Sequence, residues 1–162
     1  MKTVLLYCRR NVGLYALTQL KAMGFNVKVL TDDENVKWLA QSLECELVNS
    51  FESMGNFDIF LSVHGNRIVP MKYLKDKIAI NIHPVLELYK GKDPIKQFIL
   101  FGNKYGSVSS HFMIEQADEG KVIHTIHFYT GKITDYAEFY NIAAFYYFKL
   151  ISETFKMLSI RP

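Results

Sequence analysis

The sequence predicts an α/β fold: a mostly parallel, twisted sheet with flanking helices and an antiparallel addition near the C-terminus. Three observations carry this expectation. Thr3–Cys8 and Phe57–Val63 are short, continuous apolar runs, the pattern of strands buried on both faces. Segments of helical spacing alternate with the strands, and strand, helix, strand at this spacing implies parallel pairing through right-handed crossovers. Ser107–Ile114 and Val122–Tyr129, joined by Glu115–Lys121, read as an antiparallel pair added to that sheet.

Taken in order, Thr3–Cys8 is the first strand. Val12, Tyr15, Ala16, Leu20 and Met23 follow at helical spacing, and Gly24 suits the position after a helix end. Asn26–Leu30 is the second strand. Thr31-Asp32-Asp33-Glu34 reads as a capping box ahead of the stripe Val36, Leu39, Ala40, Leu43. Cys45–Val48 is a short strand and Asn49–Asn56 a polar loop. After Phe57–Val63, Pro70 suits the first turn of a short helix ending near Lys75, and Ile78–Ile82 is the next strand. Pro84 should end it, because proline cannot continue a central strand. Asp93-Pro94 supplies the cap and first position of a helix carrying Ile95, Phe98 and Ile99, stopped by Gly102. Asp135-x-x-Glu138 caps a last helix from about Tyr136 to Leu158.

That helix holds Phe145, Tyr146, Tyr147 and Phe148 in a row. At 3.6 residues per turn the four cannot all face one sheet. Either the helix is sandwiched within its own domain or it shares the surface in a homodimer, and the pattern leaves both open. Glu138, Asn141, Lys149, Glu153 and Lys156 interrupt it, so it is not expected to cross a membrane.

A chain of 162 residues that is 49% hydrophobic should bury one core and form one domain. Nineteen basic against sixteen acidic residues is too mild a balance to argue for nucleic acid. Cys8 and Cys45 sit among apolar residues and read as reduced thiols, and no leader pattern opens the chain, so a cytoplasmic protein is expected. The turn Cys8–Gly13 lacks the G-x-G-x-x-G of a dinucleotide site. His124 and His127 would point to opposite faces of a strand, so no metal site is expected from them.

The residues that promise chemistry are Asn81 and His83. Two apart at the end of a strand, they point to one face, at the edge where open α/β sheets bind ligands. An amide and an imidazole can donate hydrogen bonds to a developing oxyanion, and a carboxylate such as Asp118 beside the imidazole would orient it and accept a proton. No serine or cysteine stands at a comparable edge with a base, which favours direct attack by a substrate nucleophile. Gly120 would let the backbone approach a flat ligand.

Asn81-Ile82-His83-Pro84, then Tyr89-Lys90-Gly91, then His111-x6-Asp118-x-Gly120-x-Val122-Ile123 resembles the folate-dependent formyltransferases. The resemblance runs from about Phe57 to Tyr129 and implies a Rossmann-like formyltransferase fold. It also implies an enzyme that moves a formyl group from 10-formyltetrahydrofolate, without a metal, to a primary amine of a small molecule. On it, Asn81, His83 and Asp118 are catalytic. Gly65, Asn66, Arg67, Ile68 and Val69 wrap the pteridine from one side, and the loop with Glu115, Ala117 and Gly120 closes the other. His111 corresponds to a family histidine and is read as structural. Arg9, Arg10, Asn11 and Tyr89 are candidates to hold the acceptor. Two departures bear on that acceptor. Leu86-Glu87-Leu88 replaces the family's Leu-Leu-Pro, and Cys8–Gly13 lacks the Gly-Ser-Asn phosphate loop of glycinamide ribonucleotide formyltransferases. A nucleotide-linked amino sugar is therefore expected ahead of glycinamide ribonucleotide, with a non-catalytic folate- or nucleotide-binding module as the reading from another class.

Overall fold

The computed structural model describes residues 1–162. Its strands are β1 (Thr3–Cys8), β2 (Asn26–Leu30), β3 (Glu46–Val48), β4 (Ile59–Val63), β5 (Ile78–Pro84), β6 (Tyr105–Phe112) and β7 (Val122–Tyr129). The helices are α1 (Arg10–Ala22), α2 (Glu34–Ser42), α3 (Pro94–Leu100) and α4 (Tyr136–Met157). One seven-stranded sheet runs in the order β3-β2-β1-β4-β5-β6-β7. It is parallel from β3 through β5, and β6 and β7 add antiparallel.

Residues alternate across β1 into two cores. Val4, Leu6 and Cys8 face the larger one, to which all four helices contribute; Leu5 and Tyr7 face the smaller one. The smaller core is closed by the connections on either side of β4, through Phe51, Met54, Val69 and Leu74. The stretch expected to be a polar loop thus buries Phe51 in a single 3-10 turn at Phe51–Ser53. A second such turn, Met71–Tyr73, stands where a short helix after Pro70 was expected.

Three local expectations are corrected. Asp33, not Thr31, caps α2: its carboxylate accepts from the backbone N–H groups of Asn35 and Val36. Asp93 occupies the position before α3 but makes no side-chain cap, because its backbone is left-handed at φ 56°. Pro84 lies within β5, not beyond it. It pairs with Val108, while the backbone N–H of Val85 donates to Ser107. In an antiparallel ladder the bonded pairs alternate, so the nitrogen of Pro84 faces the β4 side, where that strand has already ended at Val63.

Of the four consecutive aromatics on α4, Tyr147 is fully buried, Tyr146 stacks on Phe128 and Phe148 meets Tyr15. Phe145 alone is left 68% exposed. The helix packs on β6 and β7 and against α1, which takes up three of the four aromatics. No helix is long and apolar enough to cross a membrane.

Candidate active site

The strand order changes direction at β1, which lies between β2 and β4, and such a switch point opens a crevice beyond the strand ends. Arg9, His64, Asn81 and His83 all come from the carboxyl ends of β1, β4 and β5. Antiparallel β6 sets His111 directly opposite Asn81, and the β6–β7 loop returns Asp118 to the same point.

There the side chains form one cluster. Asn81 Nδ2 donates to Asp118 Oδ1 at 3.3 Å and lies 3.2 Å from His111 Nε2. His83 Nε2 is 3.3 Å from Asp118 Oδ2, and its Nδ1 is 2.8 Å from the Pro84 carbonyl oxygen. The Gly91 carbonyl is a further 3.4 Å neighbour of Nε2. Both ring nitrogens of His83 therefore face acceptors, and a doubly protonated ring has a partner for each N–H. The Gly91 N–H donates to Asp118 Oδ2 at 2.9 Å, and Lys90 pairs with Glu119 at 2.8 Å, so the loop after β5 is tied to the loop after β6. Burial alone would raise the pKa of Asp118. The His111 and His83 rings, the charge of His83 and the Gly91 N–H outweigh it and hold the carboxyl well below the usual carboxylate range.

Two cavities meet at this cluster, sharing Asn81, Asp118, Gly65, Asn66, Gly91 and Lys92. The first, about 410 Å³, is walled by Gly65, Asn66, Arg67, Ile68 and Val69 on one side and by Met113, Ile114, Glu115 and Ala117 on the other. Its first wall is pinned from beneath: the Tyr7 hydroxyl accepts from the backbone N–H groups of Asn66 and Arg67 and donates to Asn66 Oδ1. Gly65 packs so close to the Tyr7 ring that a Cβ there would collide with it. Val69 is buried and anchors the loop, whereas Ile68 is 81% exposed at the rim.

The second cavity, about 620 Å³, opens on the other side of the cluster and reaches Arg9, Arg10, His64, Lys92, Tyr136 and Tyr140.

Of the residues expected from sequence, Asn81, His83 and Asp118 come together, and Arg9 and Arg10 reach the second cavity. Arg9 is already paired with Asp32 at 2.6 Å. Three of the expected residues lie outside the two cavities. Asn11 and Tyr89 line neither cavity; Tyr89 accepts from Asn103 and stacks on Phe101 instead. Gly120 does not line one either. A Cβ there would strike the Phe112 carbonyl oxygen, so the loop's own packing requires a glycine at this position. His111 lies within the cluster, its Nε2 3.2 Å from Asn81 Nδ2 and 3.6 Å from Asp118 Oδ1 and its Nδ1 2.9 Å from the Phe112 carbonyl oxygen. Lys92, His64 and Tyr140 were missed; apart from the Gly91 neighbourhood of Lys92, no local pattern marks them. His124 and His127 point to opposite faces, towards Glu153 and Glu87.

The profile of a family described as "Formyl transferase" matches residues 8–155. Methionyl-tRNA formyltransferase of Buchnera aphidicola is 35% identical over 74 residues, 44% of this chain and 24% of that protein. The chain thus spans about a quarter of the length of that curated relative. Among solved structures, phosphoribosylglycinamide formyltransferase from Streptococcus pneumoniae superposes with a TM-score of 0.77 at 16% identity, over 98% of this chain and 99% of that one. The N-formyltransferase from Helicobacter canadensis, solved with folinic acid and dTDP-3-aminofucose, gives 0.75 at 21% identity, over 96% of this chain and 64% of that one. At these identities the superpositions establish the fold, and the profile, covering most of the chain, establishes the kinship. The chain belongs to the formyl transferase family.

Proposed function

We propose that the protein transfers the formyl group of 10-formyltetrahydrofolate to a primary amine on a small molecule. The observation that carries this reading is the placement of Asn81 and Asp118 on the wall shared by two cavities, with His83 beside them on the second. The slot lined by Gly65–Val69 takes the folate, and the second cavity takes the amine. Attack of the amine nitrogen on the formyl carbon forms a C–N bond and puts negative charge on the formyl oxygen. His83 donates to that oxygen through Nε2, giving up its longer contacts to Asp118 and the Gly91 carbonyl, and such donors are the largest usual contribution to such a step. Asn81 Nδ2 already faces Asp118 and His111, so Asn81 joins His83 by releasing or sharing one of its N–H groups. Asp118 takes the proton lost by the amine and passes it to the folate nitrogen as the bond from that nitrogen to the formyl carbon breaks.

The acceptor we favour is a nucleotide-linked amino sugar. The Helicobacter canadensis neighbour binds a compound of that class, and Arg10 and Lys92 border the second cavity. Glycinamide ribonucleotide is the second reading, favoured by the end-to-end match to the Streptococcus pneumoniae protein. The test is incubation with 10-formyltetrahydrofolate and a panel of amines, with mass detection of the formylated product. Product with an amino sugar nucleotide supports the first reading and product with glycinamide ribonucleotide the second. Folate binding with no product from any amine would leave a binding module.

A further inference from the structure

His64 takes no part in the chemistry just described, yet it is held in an unusual way. It follows the last residue of β4 with a left-handed backbone, φ 61°, which a residue other than glycine keeps only when its surroundings impose it. Its ring borders the second cavity. Its Nδ1 is 3.0 Å from the hydroxyl of Tyr140 on α4, with the two rings edge to face.

The direction of that bond follows from burial. Tyr140 is only 7% exposed, and burial pushes its hydroxyl pKa up, so the oxygen keeps its proton and needs an acceptor. Nδ1 is the acceptor the fold provides. The single ring proton of neutral His64 then sits on Nε2, which makes no hydrogen bond within the fold. Burial, followed by the charges of Arg10, Arg9 and His83, brings the His64 pKa down to about 4, so the ring stays neutral near pH 7. On the same cavity, Arg10 and Lys92 have no carboxylate within ion-pair distance.

We propose that His64, its tautomer set by Tyr140, is a positioning residue for the acceptor: its Nε2–H donates to an anionic oxygen, phosphate or carboxylate, held on the Arg10 side of the second cavity. A fixed neutral donor adds direction to the attraction that the unpaired cations supply. The amine of the same molecule is thereby turned towards Asp118 and His83. This inference rests on the formyl-transfer reading only in naming the occupant as the acceptor.

Ring ¹⁵N spectra of the whole protein test it without any acceptor. The expected result is an Nε2–H tautomer at His64 that does not titrate around pH 6.5, and loss of that single tautomer in Tyr140→Phe. Inorganic phosphate, and acetate in a separate series, are then titrated in. Phosphate should shift Nε2 of His64 and bind at least ~10-fold more weakly to His64→Phe. His64→Gln, whose amide keeps an N–H near the place of Nε2, should retain binding. A response to acetate alone assigns the subsite to carboxylates. An Nδ1–H tautomer, titration near the ordinary histidine value, or equal phosphate affinity in His64→Phe and the unmodified protein overturns the proposal, as does a shift with neither anion. Failure of formyl transfer across the amine panel, with tautomer and anion response intact, sinks the formyl-transfer reading and leaves the subsite standing.

Discussion

Asp118 Oδ2 lies 3.3 Å from His83 Nε2, while the other nitrogen of that ring is committed to the Pro84 carbonyl. One carboxylate therefore orients the imidazole and, through its second oxygen, holds Asn81. If the three act together in formyl transfer, Asn81→Ala and His83→Ala should each lower kcat by ~10²-fold or more, as removal of an oxyanion donor does. Asp118→Asn keeps the shape without the charge and should also cost rate while folate still binds. The double change His83→Ala/Asp118→Asn should lose much less than the product of the single losses, because groups that work as a unit are not additive. Full activity in Asp118→Asn, or losses confined to folate affinity, would move these residues from chemistry to binding.

The same carboxylate gives the fold a dependence on acid. The pKa of Asp118 is lower in the folded chain than the usual value of about 3.9 for an unfolded aspartate. A depressed carboxyl contributes stability that is fully present above the unfolded value and is lost as pH falls towards the folded one. Asp118→Asn has no such group to protonate. Urea midpoints at neutral pH and at about pH 3 should therefore fall further for the unmodified protein than for Asp118→Asn. Parallel acid limbs in the two proteins would show that the pairing contributes nothing to stability.

What could be read from the sequence follows the range of the interactions involved. A strand buried on both faces announces itself as an apolar run, so β1 was expected with the bounds it has; β2 also has its expected bounds, although Asn26 and Lys28 interrupt its apolar residues. Asn81 and His83 share a face by the geometry of any strand, and that face was legible before the fold. Asp118 could be named from the sequence as a candidate carboxylate, but its meeting with Asn81 could not be read from local spacing, because it spans 37 residues and depends on how two loops dock. The His64–Tyr140 pair spans 76 residues and joins a strand end to a helix; no local spacing encodes it. Pro84 was misplaced for a related reason: its tolerance in β5 depends on where the neighbouring strand stops. The stacking of Tyr89, a candidate acceptor contact, on Phe101 was likewise not legible, because it depends on tertiary packing.

The packing around Gly120 predicts a further experiment. A Cβ at Gly120 would collide with a backbone oxygen, which cannot swing aside as a side chain can. Gly120→Ala should cost about 3 kcal/mol, the upper range for overpacking. Gly102 is a useful comparison, since its φ is +65° but nothing lies within 4 Å of a Cβ there. Gly102→Ala should cost only the left-handed backbone penalty, about 1 kcal/mol. Denaturant unfolding of both variants should rank them in that order. Equal losses would mean that the loop holding Asp118 can yield around the extra methyl.

Tyr147 carries the one buried side-chain oxygen without a hydrogen-bond partner. It sits in the middle of α4, with no exposed surface, and burial pushes its hydroxyl pKa well up. Its ring fills the larger core, so the shape is needed while the hydroxyl is a liability: a buried polar group left unsatisfied costs about 1–3 kcal/mol. Tyr147→Phe keeps the ring and removes the cost, so it should stabilise the protein by about 1 kcal/mol and leave anion and folate binding unchanged. Tyr140→Phe is the contrast, because that hydroxyl has a partner in His64, and its loss should destabilise. Denaturation midpoints that move in opposite directions for the two variants would bear this out. A destabilised Tyr147→Phe would show that a water molecule inside the fold satisfies the hydroxyl.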